Sequence, residues 1–165
     1  MEKLDQELQH LGLQLPRIIL PVAGTDMEKW AVIACDQYTS EPEYWEKVAT
    51  ITGGNPTTLK LIFPETYLDT KKENKILKQI KTTMDSYLEA GVLFEHQPGL
   101  IYTERSTEWV DSRKGLVIAV DLEQYDYHPG AKTLIRASEE IIVNRLPTRI
   151  KIRENAQLEL PHIIL

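Results

Sequence analysis

The sequence predicts an α+β fold in which a mixed β-sheet is flanked by helices. Three observations support this prediction: a long amphipathic pattern over residues 71–90, several short apolar runs with the length of strands, and turn residues between the two kinds of segment. The chain shows no internal repeat, low-complexity tract or linker. We therefore expect residues 1–165 to form a single domain.

Two helices are predicted in the first third of the chain. Three leucines between residues 4 and 11 recur at helical spacing, which places them on one face. Ser40 and Glu43 fit a capping box, in which two side chains bond free backbone N–H groups at a helix start. Pro42 is tolerated in that first turn, and the glycine pair at 53–54 should end the helix.

The strongest helix signal covers Lys71 to Ala90. Its apolar stripe recurs every three or four residues and consists of Ile76, Leu77, Ile80, Met84, Tyr87 and Leu88. Gly91 is the natural residue just past the helix end, because glycine adopts the left-handed conformation that ends many helices. A further helix is expected between Leu146 and Gln157, opened by Pro147.

Short apolar segments bounded by turn residues predict the strands. They are residues 17–20, 30–35, 59–63 and 116–122. Residues 92–95 and 100–104 are predicted as a hairpin joined through Gln97-Pro98-Gly99.

Composition indicates an ordinary globular protein. Apolar residues make up 42% of the chain and charged residues 27%, unlike the composition of disordered chains. The net charge of −6 gives no overall attraction for nucleic acid or an anionic membrane. No apolar run approaches the ~20 residues that a membrane span needs, and the N-terminus lacks the apolar core of a signal peptide. The single cysteine excludes an internal disulfide and suits a reducing cytoplasm.

The C-terminal residues predict that this chain is the N-terminal fragment of a longer protein. Residues 160–165 are apolar and strand-like, with no polar tail, whereas termini are usually solvated. An exposed apolar end at Ile163, Ile164 and Leu165 would also favour a homodimer, which truncation itself could induce.

Asp36 and Gln37 are the first candidates for chemistry, because they directly follow the apolar run 30–35. Ligands of α/β layers bind where strands end, and a helix start near Glu41 offers free N–H groups to an anion. A carboxylate there could accept a hydroxyl proton while the amide orients a substrate. The alternative is that Asp36 only caps local backbone in a turn.

Four arginines lie within one short segment of an otherwise acidic chain: Arg136, Arg145, Arg149 and Arg153. Arg149 and Arg153 are one helical turn apart and would share a face. Clustered guanidinium groups hold carboxylates or phosphates through paired hydrogen bonds. The alternative is plain surface ion pairing, since three glutamates lie among them.

The remaining candidates have plainer explanations. Cys35 ends the apolar run 30–35 and fits a small core residue better than a nucleophile. The glycine pair at 53–54 is not followed by the Gly-Lys-Ser/Thr of a phosphate loop. The histidines are not at metal-ligand spacing, so we expect no metal site built from this chain alone. His162 is a candidate for binding substrate or phosphate, with a structural role as its alternative.

Five segments resemble successive blocks of the domain-of-unknown-function family ten-fifteen. They are KWAVIACDQYTSEPEYW, TLKLIFPETYL, GLVIAVDLEQYDY, TLIRASEEIIVNRLPTRIKIR and AQLELPHIIL. The resemblance runs from about Pro16 to Leu165 and keeps the order of the blocks. As a set, ACDQYTSEPEYW, LIRASE and RLPTRIKIRENAQLELPH are highly specific for that family.

The resemblance implies a longer parent protein with phosphotransferase activity. Family members are usually about twice this length or more, and a motif resembling Asp-Gly-Asn-His-Ser would lie beyond Leu165. The family is similar to the ParB and sulfiredoxin-like superfamily, which includes ATP- or ADP-dependent kinases that phosphorylate free serine. The resemblance thus implies a ParB/sulfiredoxin-like N-terminal portion, a small-molecule substrate, and ATP or ADP with Mg²⁺.

The resemblance also assigns roles to individual residues. Asp36 and Gln37 would contact or deprotonate the substrate hydroxyl. Arg136 and Glu139 would face the same cleft, which makes Asp36 and Glu139 the predicted catalytic residues. The phosphates or the substrate carboxylate would be held by Arg145, Arg149 and Arg153.

Two other classes of function stay open. One is a non-catalytic ligand-binding or regulatory domain, associated with nucleic acid as ParB proteins are. The acidic net charge and the lack of a basic stripe argue against a nucleic-acid partner. The weaker one is sulfiredoxin-like redox chemistry at Cys35, whose neighbours do not match a Gly-Gly-Cys-His site.

Overall fold

The computed structural model describes residues 2–126, 128–135, 142–154 and 156–160. The chain divides into two compact units. Unit 1 comprises Met1–Leu20, Glu95–Glu140 and Ile164–Leu165, and unit 2 comprises Pro21–Phe94 and Ile141–Ile163. The prediction that residues 1–165 form one domain stays a prediction.

Five helices and six strands are found among the described residues. The helices are α1 Glu2–His10, α2 Met27–Trp30, α3 Pro42–Thr52, α4 Glu73–Glu89 and α5 Leu146–Arg153. The strands are β1 Leu13–Gln14, β2 Ile19–Pro21, β3 Leu93–Glu95, β4 Ile101–Thr107, β5 Val110–Val117 and β6 Ala119–Val120. Short 3-10 turns cover Thr58–Lys60, Glu65–Tyr67, Leu122–Gln124 and Val143–Arg145.

The described strands form three two-stranded sheets, which pair β1 with β6, β2 with β3 and β4 with β5. Helices combined with small antiparallel sheets confirm the α+β class. The structure differs from the expected single mixed sheet, since only β4 and β5 among these strands are longer than three residues. Much of the apolar sequence is buried by packing around a helix instead of by sheet pairing.

Two predicted strands are wrong for one physical reason. Trp30 ends α2, and residues 31–34 have no regular structure. Residues 59–63 enter a 3-10 turn, although Leu61 and Phe63 are buried. An apolar run shows that a segment is buried, but not whether its backbone is paired. The predicted hairpin through residues 97–99 is also wrong, because β3 pairs with β2 and β4 pairs with β5.

The helices follow the predicted pattern, except at one helix start. Glu41, not Ser40, precedes the first turn of α3, and its side chain makes no capping hydrogen bond. The predicted capping box is therefore wrong, although Pro42 occupies the first turn as expected. The left-handed φ values of Gly53 and Gly91, 55° and 67°, end α3 and α4 as the sequence indicates.

Unit 1 contains the long antiparallel hairpin of β4 and β5. Thr103 lies opposite Gly115, and a Cβ at Gly115 would lie 2.8 Å from the Thr103 hydroxyl oxygen. Any side chain at position 115 would therefore displace that hydroxyl. Trp109 at the hairpin turn is 85% exposed, and most residues of both strands are exposed as well. The hairpin thus contributes little to an apolar core.

The core of unit 2 forms around α4. Ile80 and Met84 on its inner face are fully buried, and so is Trp45 of α3. Thr57 is fully buried as well, and its backbone N–H donates a hydrogen bond to the Tyr87 hydroxyl of α4 at 2.9 Å. This bond satisfies a backbone donor that water does not reach. Unit 2 is therefore held by apolar packing and by one buried polar contact to the same helix.

Replacing Tyr87 with phenylalanine should destabilise the protein by about 1–3 kcal/mol, because the buried N–H of Thr57 loses its acceptor while the ring still fills its place. Urea unfolding of the two proteins measures the difference. Tyr102→Phe is the control, since Tyr102 is exposed on β4. Removing its hydroxyl group should change the free energy of unfolding by less than about 0.5 kcal/mol. Equal stabilities of Tyr87→Phe and the natural protein would contradict this role.

Candidate functional site

A buried carboxylate, that of Glu65, is the centre of the candidate site. Glu65 starts the 3-10 turn that follows Pro64, and its side chain is only 7% exposed. The backbone N–H of Glu65 donates a hydrogen bond to the carbonyl oxygen of Cys35 at 2.8 Å. This bond brings the segment that carries Cys35 and Asp36 next to the Glu65 turn.

Two arginines meet this carboxylate, Arg145 directly before α5 and Arg149 within it. Arg149 donates a hydrogen bond from Nη2 to Glu65 Oε1 at 2.8 Å, and Arg145 forms an ion pair with Oε2. The hydrogen bond with Glu65 raises the pKa of Arg149, and the Glu65 charge adds to that rise. Among the described residues, Oε2 has no hydrogen bond of good alignment, so its contact with Arg145 is mainly electrostatic. Glu65, Arg145 and Arg149 are called the Glu–Arg cluster below.

Helix α5 is positioned by polar contacts with α4. Thr148, which is 6% exposed, donates a hydrogen bond from Oγ1 to Glu73 Oε1 at 3.0 Å. The other oxygen of Glu73 accepts a hydrogen bond from the backbone N–H of Asp69 at 2.9 Å. Because Thr148 lies between Arg145 and Arg149 in sequence, these bonds fix the part of α5 from which both arginines project.

Asp36 lies beside the Glu–Arg cluster on an exposed turn. The turn is closed by a hydrogen bond from the backbone N–H of Gln37 to the carbonyl oxygen of Ala34 at 3.1 Å. The Asp36 carboxylate accepts a bond from Gln37 Nε2 at 3.3 Å and, among the described hydrogen bonds, none from backbone. Its charge contributes to the raised pKa of Arg149. Asp36 thus has a lightly engaged carboxylate whose charge acts on a guanidinium group.

Cys35 is a half-buried thiol at the edge of the same site. Burial is the main cause that raises the pKa of Cys35, and the charges of Asp36 and Glu65 raise it further. The Arg149 charge acts in the opposite direction but does not outweigh them. A raised pKa disfavours the thiolate, which is the nucleophilic form. The environment of Cys35 therefore suits a packed thiol better than a reactive one.

Tyr38 has a left-handed backbone with φ of 51°, which is rare for a bulky residue. Such a conformation costs about 1–3 kcal/mol and persists only where the surrounding structure enforces it. The ring of Tyr38 stacks on Tyr44 with 3.9 Å between centroids and 14° between planes. Stacking on α3 is thus one contact that holds the turn following Asp36.

The structure brings together some of the predicted site residues and separates others. Arg145 and Arg149 share the Glu–Arg cluster, with Asp36 and Gln37 beside it. Arg153 instead pairs with Glu159, and its Nε donates to Glu159 Oε1 at 2.9 Å. The candidates Arg136, Glu139 and His162, and the apolar end at residues 163–165, lie outside the described residues.

Sequence reasoning missed Glu65 and the left-handed backbone of Tyr38, a residue that the sequence indicates only as an aromatic of the core or of the site wall. Glu65 follows the buried run 61–63 and Pro64, so the signal that could have identified it is a carboxylate placed directly after core residues. Its partners are 80 and 84 residues away along the chain, and no local pattern indicates them. No signal in the sequence indicates a left-handed tyrosine.

Comparisons with known proteins identify the family. The chain matches the family model described as Protein of unknown function (DUF1015) over residues 19–165. The match covers most of the chain, so this protein belongs to that family, and the predicted family membership is confirmed. No curated protein and no solved structure gives a significant match. The relation to ParB and sulfiredoxin-like proteins stays a prediction.

Two other kinds of feature have no candidates in the described part of the chain. No three histidine, cysteine, aspartate or glutamate side chains come together there as a metal site would require. None of the described helices is long and apolar enough to cross a membrane.

Replacing Glu65 with glutamine should lower the free energy of unfolding by about 1–3 kcal/mol. The change removes the charge that faces both arginines, and the loss should be smaller than the ~3–5 kcal/mol of a fully buried pair because both guanidinium groups reach solvent. Urea unfolding measures the effect. Glu89→Gln, at the exposed end of α4, is the matched control and should leave stability unchanged. A Glu65→Gln protein as stable as the control would show that the ion pairs are not structural.

Alkylation of Cys35 should require a higher pH than alkylation of a free cysteine, whose pKa is about 8.5. The chain has one cysteine, so labelling by iodoacetamide reports on this site alone. Asp36→Asn should move the midpoint of the rate–pH curve downward, because removing a nearby negative charge favours the thiolate. Glu89→Gln should leave the midpoint in place. A midpoint below that of free cysteine would contradict the described environment.

Proposed function

We propose that this chain carries the substrate-binding face of a small-molecule kinase, which phosphorylates the hydroxyl group of free serine or of a similar hydroxylated metabolite. The observation that carries the proposal is the Glu–Arg cluster, in which one buried carboxylate orients two guanidinium groups beside the exposed carboxylate of Asp36. Substrates of such a kinase carry carboxylate or phosphate groups, which paired guanidinium groups bind well.

The arginines of the cluster keep donors for an anion. Each guanidinium group has five N–H donors, and among the described residues Arg149 uses one of them on Glu65. Its side chain is 37% exposed and that of Arg145 is 28% exposed, so both reach solvent. In this proposal Glu65 positions the two groups, and their remaining N–H donors hold a phosphate or the substrate carboxylate.

Asp36 is the proposed acceptor of the hydroxyl proton. Its carboxylate is exposed and, among the described residues, accepts one long bond, from Gln37 at 3.3 Å, so it can receive a substrate hydroxyl. The substrate oxygen would bond to the terminal phosphorus of the nucleotide while the bond to the bridging oxygen breaks. The shortened nucleotide would leave with that electron pair, and Asp36 would take the proton. Gln37 could orient the hydroxylated substrate through its amide.

The residues present fit ATP or ADP with Mg²⁺. Magnesium in phosphotransferases commonly takes one or two carboxylates and completes its shell with phosphates and water. Arg145 and Arg149 can hold phosphate oxygens, and the phosphates with water would then supply the ligands of magnesium. Bound magnesium would supply neutralisation of the phosphate charge during transfer.

The predicted similarity of the family to ParB and sulfiredoxin-like proteins points to the same proposal, since that superfamily includes free serine kinases. By that similarity, Glu139 would act with Asp36, while Arg136, Arg153 and His162 would contribute to the same cleft. A single cysteine suits the reducing cytoplasm where free serine and nucleotides are abundant. The partner is a small molecule, and the net charge of −6 weighs against nucleic acid.

The test is phosphate transfer by the natural full-length protein. Purified protein is incubated with ATP or ADP, Mg²⁺ and a panel of free hydroxy amino acids, and products are read by mass spectrometry. O-phosphoserine or a related phosphate ester is expected, and Asp36→Asn should reduce its rate by about a hundredfold or more. Arg113→Gln, a change on the exposed hairpin, is the control and should leave the rate unchanged.

Two results would contradict the proposal. No product with any acceptor or nucleotide would favour a non-catalytic ligand-binding domain. Product formation that is unaffected by Asp36→Asn would remove Asp36 from the mechanism.

A further inference from the structure

The ring of Tyr38 is held in place by a series of aromatic contacts that leads into the core. It stacks on Tyr44, and Tyr44 meets Trp45 edge to face with 5.5 Å between ring centroids. Trp45 is 1% exposed and belongs to the core of unit 2. An exposed side chain usually moves among several rotamers, whereas this stack gives the Tyr38 ring one orientation.

The stacked Tyr38 side chain stays partly exposed to solvent. Tyr44 covers one face of the Tyr38 ring, and Tyr38 is still 41% exposed. No other ring in the described part of the chain stacks on it. A flat aromatic surface with a fixed orientation and one free face is the kind of platform on which nucleic-acid bases stack.

The platform lies close to the Glu–Arg cluster. Tyr38 is two residues after Asp36, and two residues of chain span at most about 7 Å. The backbone N–H of Glu65 bonds the carbonyl oxygen of Cys35 at 2.8 Å, so the segment that leads to Tyr38 starts beside the residue that holds both arginines. A ligand with phosphates at the arginines and a planar ring several ångströms away therefore matches the arrangement.

The backbone at Tyr38 adds a second, independent observation. Its φ of 51° is a conformation that glycine and asparagine adopt more readily than tyrosine. Glycine or asparagine at this position would form the same turn with less strain than tyrosine does. The strained position instead places a large ring on the solvent side of Tyr44, and strain of this kind is often found at ligand sites.

We propose that the open face of Tyr38 stacks on the purine base of the nucleotide donor. This inference rests on the proposed kinase function and adds to it the residue that recognises the base. Free serine has no aromatic face, so the stacking surface suits the nucleotide and not the acceptor. Tyr38 thereby makes the site prefer a nucleotide over a bare polyphosphate with the same charge.

The test compares two ligands that differ in the base. Isothermal titration of the natural full-length protein in Mg²⁺ measures the affinity for ATP and for inorganic tripolyphosphate. We expect ATP to bind about tenfold to a hundredfold more tightly. Tyr38→Phe should keep this preference because the ring remains. Tyr38→Asn should abolish it by weakening ATP alone, while the protein stays folded because asparagine tolerates the left-handed backbone.

The matched control is Tyr102→Asn, which removes an exposed tyrosine from β4 and should leave both affinities unchanged. The outcomes separate this inference from the proposed function. If the natural protein binds both ligands equally, or if Tyr38→Asn keeps its preference for ATP, Tyr38 does not stack on the base. The proposed phosphate site at the Glu–Arg cluster is then retained. If neither ligand binds, the proposed nucleotide site and the platform are both overturned.

Discussion

The contact on which the candidate site depends is the one between the buried carboxylate of Glu65 and the guanidinium groups of Arg145 and Arg149. A carboxylate that is 7% exposed is costly to bury unless cations compensate it. Glu65 is also bonded through its backbone to Cys35, so the same residue fixes the turn that carries Asp36. Loss of this one side chain would therefore release both arginines from their shared orientation.

Hydrogen bonds between α5 and α4 explain how the side chains of Arg149, within α5, and Arg145, directly before it, are held in place. Helix α5 has eight residues, and a helix of that length is marginal in isolation. Its buried contact is a threonine, Thr148, whose hydroxyl bonds Glu73 of α4. Directional bonds of this kind set the rotation of a helix more strictly than apolar packing does. The site is thus built on a polar interface supported by the apolar core around α4.

The parts of the fold that the sequence predicted are those specified by local patterns. Helix α4 follows from its apolar spacing, and Gly91 marks its end because the left-handed backbone favours glycine. The run 30–35 was mistaken for a strand because its apolar residues report burial, while pairing depends on neighbours distant in sequence. Strand β4 pairs with β5 and not with β3, the predicted partner, for the same reason.

The candidate site was predictable only in part, for related reasons. The arginine cluster and the Asp36-Gln37 pair were visible as unusual residue types in particular places. The sequence does not show which two of these arginines share one carboxylate. Arg149 shares Glu65 with Arg145 and not with Arg153, because the position of Glu65 in the folded unit decides the pairing. The surface ion pairing considered for these arginines does describe Arg153, which pairs with the half-exposed Glu159. Long-range partners and backbone strain are set by the whole fold, so a single sequence does not indicate them.

The measurement that tests the central claim most directly is nitrogen-15 NMR of the arginine side chains at low temperature. If Glu65 locks the Glu–Arg cluster, Arg145 and Arg149 should show separate, slowly exchanging N–H signals that shift when inorganic tripolyphosphate is added. The exposed Arg113 should show averaged signals and serves as the internal reference. Averaged signals for Arg145 and Arg149, or locked signals that tripolyphosphate leaves unchanged, would contradict a preorganised anion site.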